Sequence, residues 1–206
     1  SDTVVRVLAF DPGTTEMGWA LIFFNTKTGI STVSKRGTIV GNKILKDRKE
    51  MVKTYGRQEC VIDAIFETIS EIIKETNPDE IVSESAFMGP SVNALIALTL
   101  AIHTIRRAAR IICGKIVHMI TPKETKRCIA NNGNADKAMI REAILADSTI
   151  AIKLTKQDPV ESITEHEYDA IGHGVTFIRY VLPTLILPTM CQKNKLMKGD
   201  GGLRPH

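Results

Sequence analysis

The stretch Val4-Val5-Arg6-Val7-Leu8-Ala9-Phe10 is apolar for a strand's length and delivers one carboxylate, Asp11, at its end. Pro12-Gly13-Thr14-Thr15 then breaks the run at once. A short apolar run rich in β-branched residues and closed by turn residues reads as a buried strand. An Asp at the end of such a strand is costly unless something compensates its charge. No cation neighbours it in sequence, so a metal ion or a phosphate-bearing ligand is the natural compensator, and its other contacts must come from elsewhere in the chain. The plainer alternative is an Asx-type hydrogen bond within the turn.

Two further strands follow, at 18–24 and 30–40, joined by the turn Asn25 to Gly29. Three strands on short turns make an antiparallel meander. A polar, basic connection (41–49) leads into an amphipathic helix over 50–76, where Val61, Ile62, Ile65, Phe66, Ile69, Ile72 and Ile73 recur at helical spacing. Asn77-Pro78 ends it. Glu80-Ile81-Val82-Ser83-Glu84 is a short strand, placed parallel to its neighbour by the crossover. A loop from Ser85 opens into a long apolar helix over 91–112, with Ser91 as N-cap. A strand at 115–120, a short helix at 122–130, a loop at 131–134 and a helix at 135–147 come next. A polar stretch to Thr164 precedes a last helix near 165–182, stopped by Pro183, after which the tail reads as loose. The pattern is α/β: a meander plus parallel strands in a mixed sheet, flanked by helices. It forms one domain over 1–182 with a tail over 183–206.

In open sheets of this kind ligands gather at the carboxyl ends of the parallel strands. Asp11 and Glu84 both stand at strand ends. A third carboxylate, Asp169, falls in the last helix, with His166 three residues before it on the same face and Glu165 four residues before it. Spacing alone does not choose between His166 and Glu165 as a fourth ligand. Oxygen ligands with at most one imidazole suit Mg²⁺ or Mn²⁺. Two such ions about 3.5–4 Å apart clamp an in-line phosphodiester displacement.

Charge points to the same kind of substrate. The chain carries a net charge of +4, and residues 35–57 and 106–127 hold 15 of its 27 Lys and Arg. The rest is net acidic, so a polyanion is expected to meet those two segments. No apolar run is long enough to span a membrane, and the amino end lacks the plan of a signal peptide. Cys60, Cys113, Cys128 and Cys191 show no Cys-x-x-Cys pairing, as expected of reduced thiols in an intracellular protein.

Four stretches resemble one family in its own order. Phe10-Asp11-Pro12-Gly13-Thr14-Thr15 with Gly18-Trp19 is similar to the first motif of the RuvC-type Holliday-junction resolvases, which are RNase H-like nucleases. Glu84-Ser85-Ala86-Phe87-Met88 resembles the second, Lys126 with Gly133-Asn134-Ala135-Asp136-Lys137 the basic third, and His166-x-x-Asp169-Ala170 the last. The resemblance implies an RNase H-like fold and a structure-selective endonuclease. It would cut branched DNA in the form of four-way junctions, leaving 5′-phosphate and 3′-hydroxyl ends; whether other branched forms are cut is left open. It implies Asp11, Glu84, Asp169 and His166 as ligands of two Mg²⁺ or Mn²⁺ ions, with Lys137 among the catalytic groups. Lys126 and Lys137 would contact phosphates near the cut, with Lys123 and Arg127 beside them. Phe87 would stack on or wedge between bases at the branch point. The helix over 91–112 would lie at a two-fold homodimer interface.

Two other readings compete. A catalytically silent branched-DNA-binding protein would share the fold. A sugar-kinase or actin-like ATPase would share the Asp-x-Gly-Thr-Thr turn, but repeats that motif in a second domain for which 206 residues leave no room.

Overall fold

The computed structural model describes residues 3–87 and 91–186. Six strands form one sheet in the order β5-β4-β1-β2-β3-β6. The meander is β1 (Val4–Asp11), β2 (Glu16–Asn25) and β3 (Ser31–Val40), antiparallel throughout. β4 (Glu80–Glu84) runs parallel to β1, and β5 (Val117–Ile120) parallel to β4. Seven helices, the last ending at Tyr180, and a 3-10 turn at Val160–Ser162 accompany the sheet. The mixed sheet expected from the sequence is therefore present.

The uninterrupted apolar character of β1 follows from its position. Leu8 and Phe10 point into a core shared with α3 (Arg57–Thr76) and α4 (Val92–Cys113). Val7 and Ala9 point the other way, into a core shared with α6 (Lys137–Ala146) and α7 (Glu165–Tyr180). A strand covered on both faces has no solvent side on which to place polar residues. Each buried Leu or Phe here contributes about 1.5–3 kcal/mol.

Several expectations need correction. The polar stretch before Thr164 contains a sixth strand, β6 (Ile150–Ile152), parallel to β3. Three residues are too few for a periodic signal. The helix expected over 50–76 is two, α2 (Lys49–Tyr55) and α3, because Gly56 adopts φ 91°, ψ 157° between them. That left-handed φ suits glycine alone and cannot continue a helix. The connection before them includes a single helical turn, α1 (Gly41–Ile44). Pro183 does not stop the last helix. α7 ends at Tyr180, Val181 departs from it, and residues 182–186 are helical again, with Pro183 near their start. A proline is tolerated there because that N–H has no helical partner to lose. The expected loose tail lies, from residue 187 onward, outside the described residues.

α4 is not enclosed on more than one side along its length. Its second half buries Ala101, Ile102, Ile105, Ala108 and Ala109, while Val92 and Ile96 in its first turns are exposed. No helix among the described residues is long and apolar enough to cross a membrane. Cys60, Cys113 and Cys128 are free thiols, and Cys191 lies outside the described residues.

Candidate active site

Three elements bring the site together. β1 ends in Asp11 and the parallel β4 ends in Glu84, so both carboxylates reach the same edge of the sheet. α7 crosses that edge with His166, Asp169 and His173 on one face, at i, i+3 and i+7.

The start of α7 is pinned from below. Gly18 stands opposite Asp11 across β1 and β2, and a Cβ on it would come 2.0 Å from the His166 carbonyl oxygen. Only glycine lets the helix backbone rest there. Thr164 caps the helix by accepting from the Glu167 N–H, and Thr38 of β3 lies 2.8 Å from the Thr164 hydroxyl. Arg36 of β3 donates to Glu167 at 2.8 Å and to Asp158 at 2.7 Å.

The site opens into a cavity of about 550 Å³ lined by Asp11, Glu84, His166, Asp169 and His173, with Phe87, Lys126 and Lys137 on other parts of its wall. Asp11 and Glu84 are each 13% exposed. Asp11 sits between two imidazoles. Its Oδ2 is 2.7 Å from His166 Nδ1, and its Oδ1 is 4.0 Å from His173 Nε2. The other His166 nitrogen lies 3.1 Å from Glu16 Oε2. Lys137, at the first position of α6 beside its N-cap Asp136, is 3.0 Å from Glu165 Oε1 and 3.6 Å from Asp169 Oδ2.

The electrostatics are those of crowded negative charge. Burial pushes the Asp169 carboxyl up to about 6, and the charges of Asp11 and Glu84 add to that against the opposing Lys137 and His173. The hydrogen bond to Asp11 raises the His166 imidazole above its usual value. Burial pulls the His173 imidazole down, but Glu84, Asp11 and Asp169 more than reverse that.

Of the residues singled out from sequence, Asp11, Glu84, His166, Asp169, Lys126, Lys137 and Phe87 all face this cavity. Glu165 is turned to Lys137 and does not line it. Lys123 and Arg127 are exposed beside Gly133, off the cavity wall. The two basic segments do not form one surface. Arg36 is buried in its ion pairs, Lys35 pairs Glu75 and Arg48 pairs Glu67. Arg106, Arg107, Arg110 and Lys115 border a separate groove near the start of β5. Because β5 runs parallel to β4, that groove is at the opposite end of the sheet from Glu84. Only the 123–127 part of the second segment stands near the site. Two site neighbours escaped sequence reasoning, Glu16 and His173. The spacing of His173, four residues after Asp169 and seven after His166, was the signal available for it.

The residues fit a divalent cation. Asp11, Glu84 and His173 offer ligand atoms that all lie within 4.8 Å of one another. His173 Nε2 is buried without an aligned hydrogen-bond partner. Carboxylates with imidazole suit Mn²⁺ and Mg²⁺.

Residues 7–164 match the family described as "Crossover junction endodeoxyribonuclease RuvC". The chain belongs to the RuvC family. A RuvC of Christiangramia forsetii is 30% identical over 150 residues, covering 73% of this chain and 70% of the relative. Thermus thermophilus RuvC superposes with a TM-score of 0.64 at 16% identity, covering 87% of this chain and 97% of that one. T. thermophilus RuvC in complex with a Holliday junction substrate gives 0.58 at 14% identity, over 85% and 94%. Membership of the RuvC family does not favour the ATPase reading of the Asp-Pro-Gly-Thr-Thr turn.

Proposed function

We propose that this RuvC-family chain is a divalent-metal-dependent endonuclease that resolves four-way DNA junctions. The observation that carries the reading is the meeting of Asp11, Glu84, Asp169 and His166 at the carboxyl ends of β1 and β4, in a cavity that also holds Lys126, Lys137 and Phe87. Asp11, Glu84, Asp169 and His166 are assigned as holding two Mg²⁺ or Mn²⁺ ions. Held there, such ions would supply a water of lowered pKa and charge to stabilise the leaving oxygen of a phosphodiester.

The chain's own groups supply the rest. Lys126 and Lys137 offset phosphate charge beside the carboxylates, which would otherwise repel a polyanion. Lys137 exchanges its contacts with Glu165 and Asp169 for a phosphate oxygen as DNA enters. Phe87, 48% exposed on the loop after β4, offers a ring face to an unstacked base. Lys123 and Arg127 extend the phosphate-binding surface outside the cavity.

A homodimer completes the reading. Val92 and Ile96 on α4 are exposed apolar side chains that a second copy would have to cover in such a dimer. A two-fold pair of sites suits symmetric incision of two strands of like polarity.

A synthetic four-way junction incubated with the full chain and Mn²⁺ or Mg²⁺ tests the proposal. Paired nicks from the wild type and none from Asp11→Asn are expected. A junction that shifts on a native gel but stays uncut with the wild type would instead establish the silent DNA-binding reading.

A further inference from the structure

His173 is the site group that neither the sequence motifs nor the proposed ligand set accounts for. Its side chain is 2% exposed, and the face of α7 that carries it is pressed onto β1, β4 and α5 (Pro122–Ala130). One nitrogen is fixed and the other is not. Nδ1 lies 2.8 Å from the Thr125 hydroxyl, itself buried on α5. Nε2 lies 3.2 Å from Glu84 Oε2 and 4.0 Å from Asp11 Oδ1, yet is too poorly aligned with either for a hydrogen bond.

A nitrogen buried this deeply is expected to have a partner. When the Nδ1 proton is donated to Thr125, Nε2 presents a lone pair to two carboxylates, and a divalent cation between them takes the place that a proton on Nε2 fills in its absence. The partnership of a ligating His with a group that holds its second nitrogen is the usual outer support of a metal site. Gly172 leaves Thr125 room for that role, since a Cβ there would come 3.0 Å from Thr125 Cγ2.

We infer that His173 Nε2 is a ligand of the divalent ion held by Asp11 and Glu84, with Thr125 as the positioning residue for its ring. The inference rests on the metal-dependent reading above and adds an imidazole to the carboxylates that the motifs supply. Such a set shifts preference from Mg²⁺ toward Mn²⁺.

Mn²⁺ binding to the full-length, EDTA-stripped chain, followed by loss of the free-ion electron paramagnetic resonance signal, tests it without turnover. His173→Gln is expected to weaken Mn²⁺ affinity at least ten-fold, the lower end of the range for perturbed metal surroundings. Thr125→Val should weaken it less, and Thr125→Ser should keep it. Unchanged affinity in a folded His173→Gln overturns the assignment. Should His173→Gln not fold, the nitrogen modulation of bound Mn²⁺ in His166→Ala decides: its presence identifies His173, and its absence, or absence of bound ion, overturns the proposal. Tight Mn²⁺ binding through His173 in a protein that leaves junctions intact would sink the nuclease reading while the ligand assignment stands. Junction cleavage with unchanged affinity in His173→Gln would do the reverse.

Discussion

Arg36 and Glu167 form an ion pair whose side chains are each only 6% exposed, and it ties β3 to the first turn of α7. Glu167 lies between His166 and Asp169 in sequence but faces away from them, so the pair sets the rotation of the helix that presents them. Removing Arg36 strands the buried Glu167 carboxylate, which costs about 3–5 kcal/mol. Arg36→Ala is expected to lower the unfolding free energy by that order, and Glu167→Ala by less, because Arg36 keeps its pair with Asp158. Arg36→Met with Glu167→Leu should recover much of it. Urea denaturation of the three variants checks this, and single variants as stable as the wild type would contradict it.

Gly18 is the second device that seats α7. Gly18→Ala places a methyl against the His166 backbone, and overpacking of this kind costs about 1–3 kcal/mol. The expected outcome is a lower Tm together with weaker Mn²⁺ binding, because His166 and Asp169 move with the helix. A wild-type Tm would mean that the close approach is not needed.

Phe87→Ala should leave Mn²⁺ affinity intact and slow junction cleavage. Loss of base stacking is worth about 1–3 kcal/mol, so a reduction of about ten-fold or more is expected. Single-turnover cleavage of a labelled junction measures it, and an unaltered rate counts against a stacking role.

The metal-free protein is expected to lose stability as pH rises. His166 has a raised pKa, so its contribution is complete below the unfolded value of about 6.5 and is lost as pH climbs through the folded one. The Asp169 carboxyl, pushed up to about 6, acts in the same direction: its contribution is complete below the unfolded value and is lost through about pH 6. That shift corresponds to at most about 3 kcal/mol. Melting curves in EDTA from about pH 5 to about pH 8 should therefore fall, and saturating Mn²⁺ should flatten the trend. A Tm that rises over that interval in EDTA refutes the argument.

Turnover with Mn²⁺ is expected to equal or exceed turnover with Mg²⁺ at saturation, since imidazole is a softer ligand than carboxylate. A several-fold advantage for Mg²⁺ would speak against imidazole in the site.

The parts of this molecule that could be read from sequence are those whose cause is local. Asp11 and Glu84 each close an apolar run, and His166 and Asp169 share a helical face, so spacing brings them forward, although it leaves Glu165 open beside His166. What stayed hidden depends on partners far along the chain. Arg36 counts as surface charge until Glu167, 131 residues later, buries it. His173 sits in Ile171-Gly172-His173-Gly174-Val175, which looks like helix interior until Thr125, 48 residues earlier, takes one of its nitrogens. β6 exists because β3 offers it an edge, and the break at Gly56 shows only in a backbone angle.

The division of the site between β1 and α7 also has a temporal side. Asp11 is made with β1, whereas His166, Asp169 and His173 are made with α7, more than 150 residues later. Domains fold as units while synthesis proceeds from the amino end. A chain cut short before α7 therefore carries a charged strand end, an uncovered sheet face and only part of the proposed ligand set. On the proposed ligand set, a chain that ends before Glu165 is therefore expected to cut no DNA.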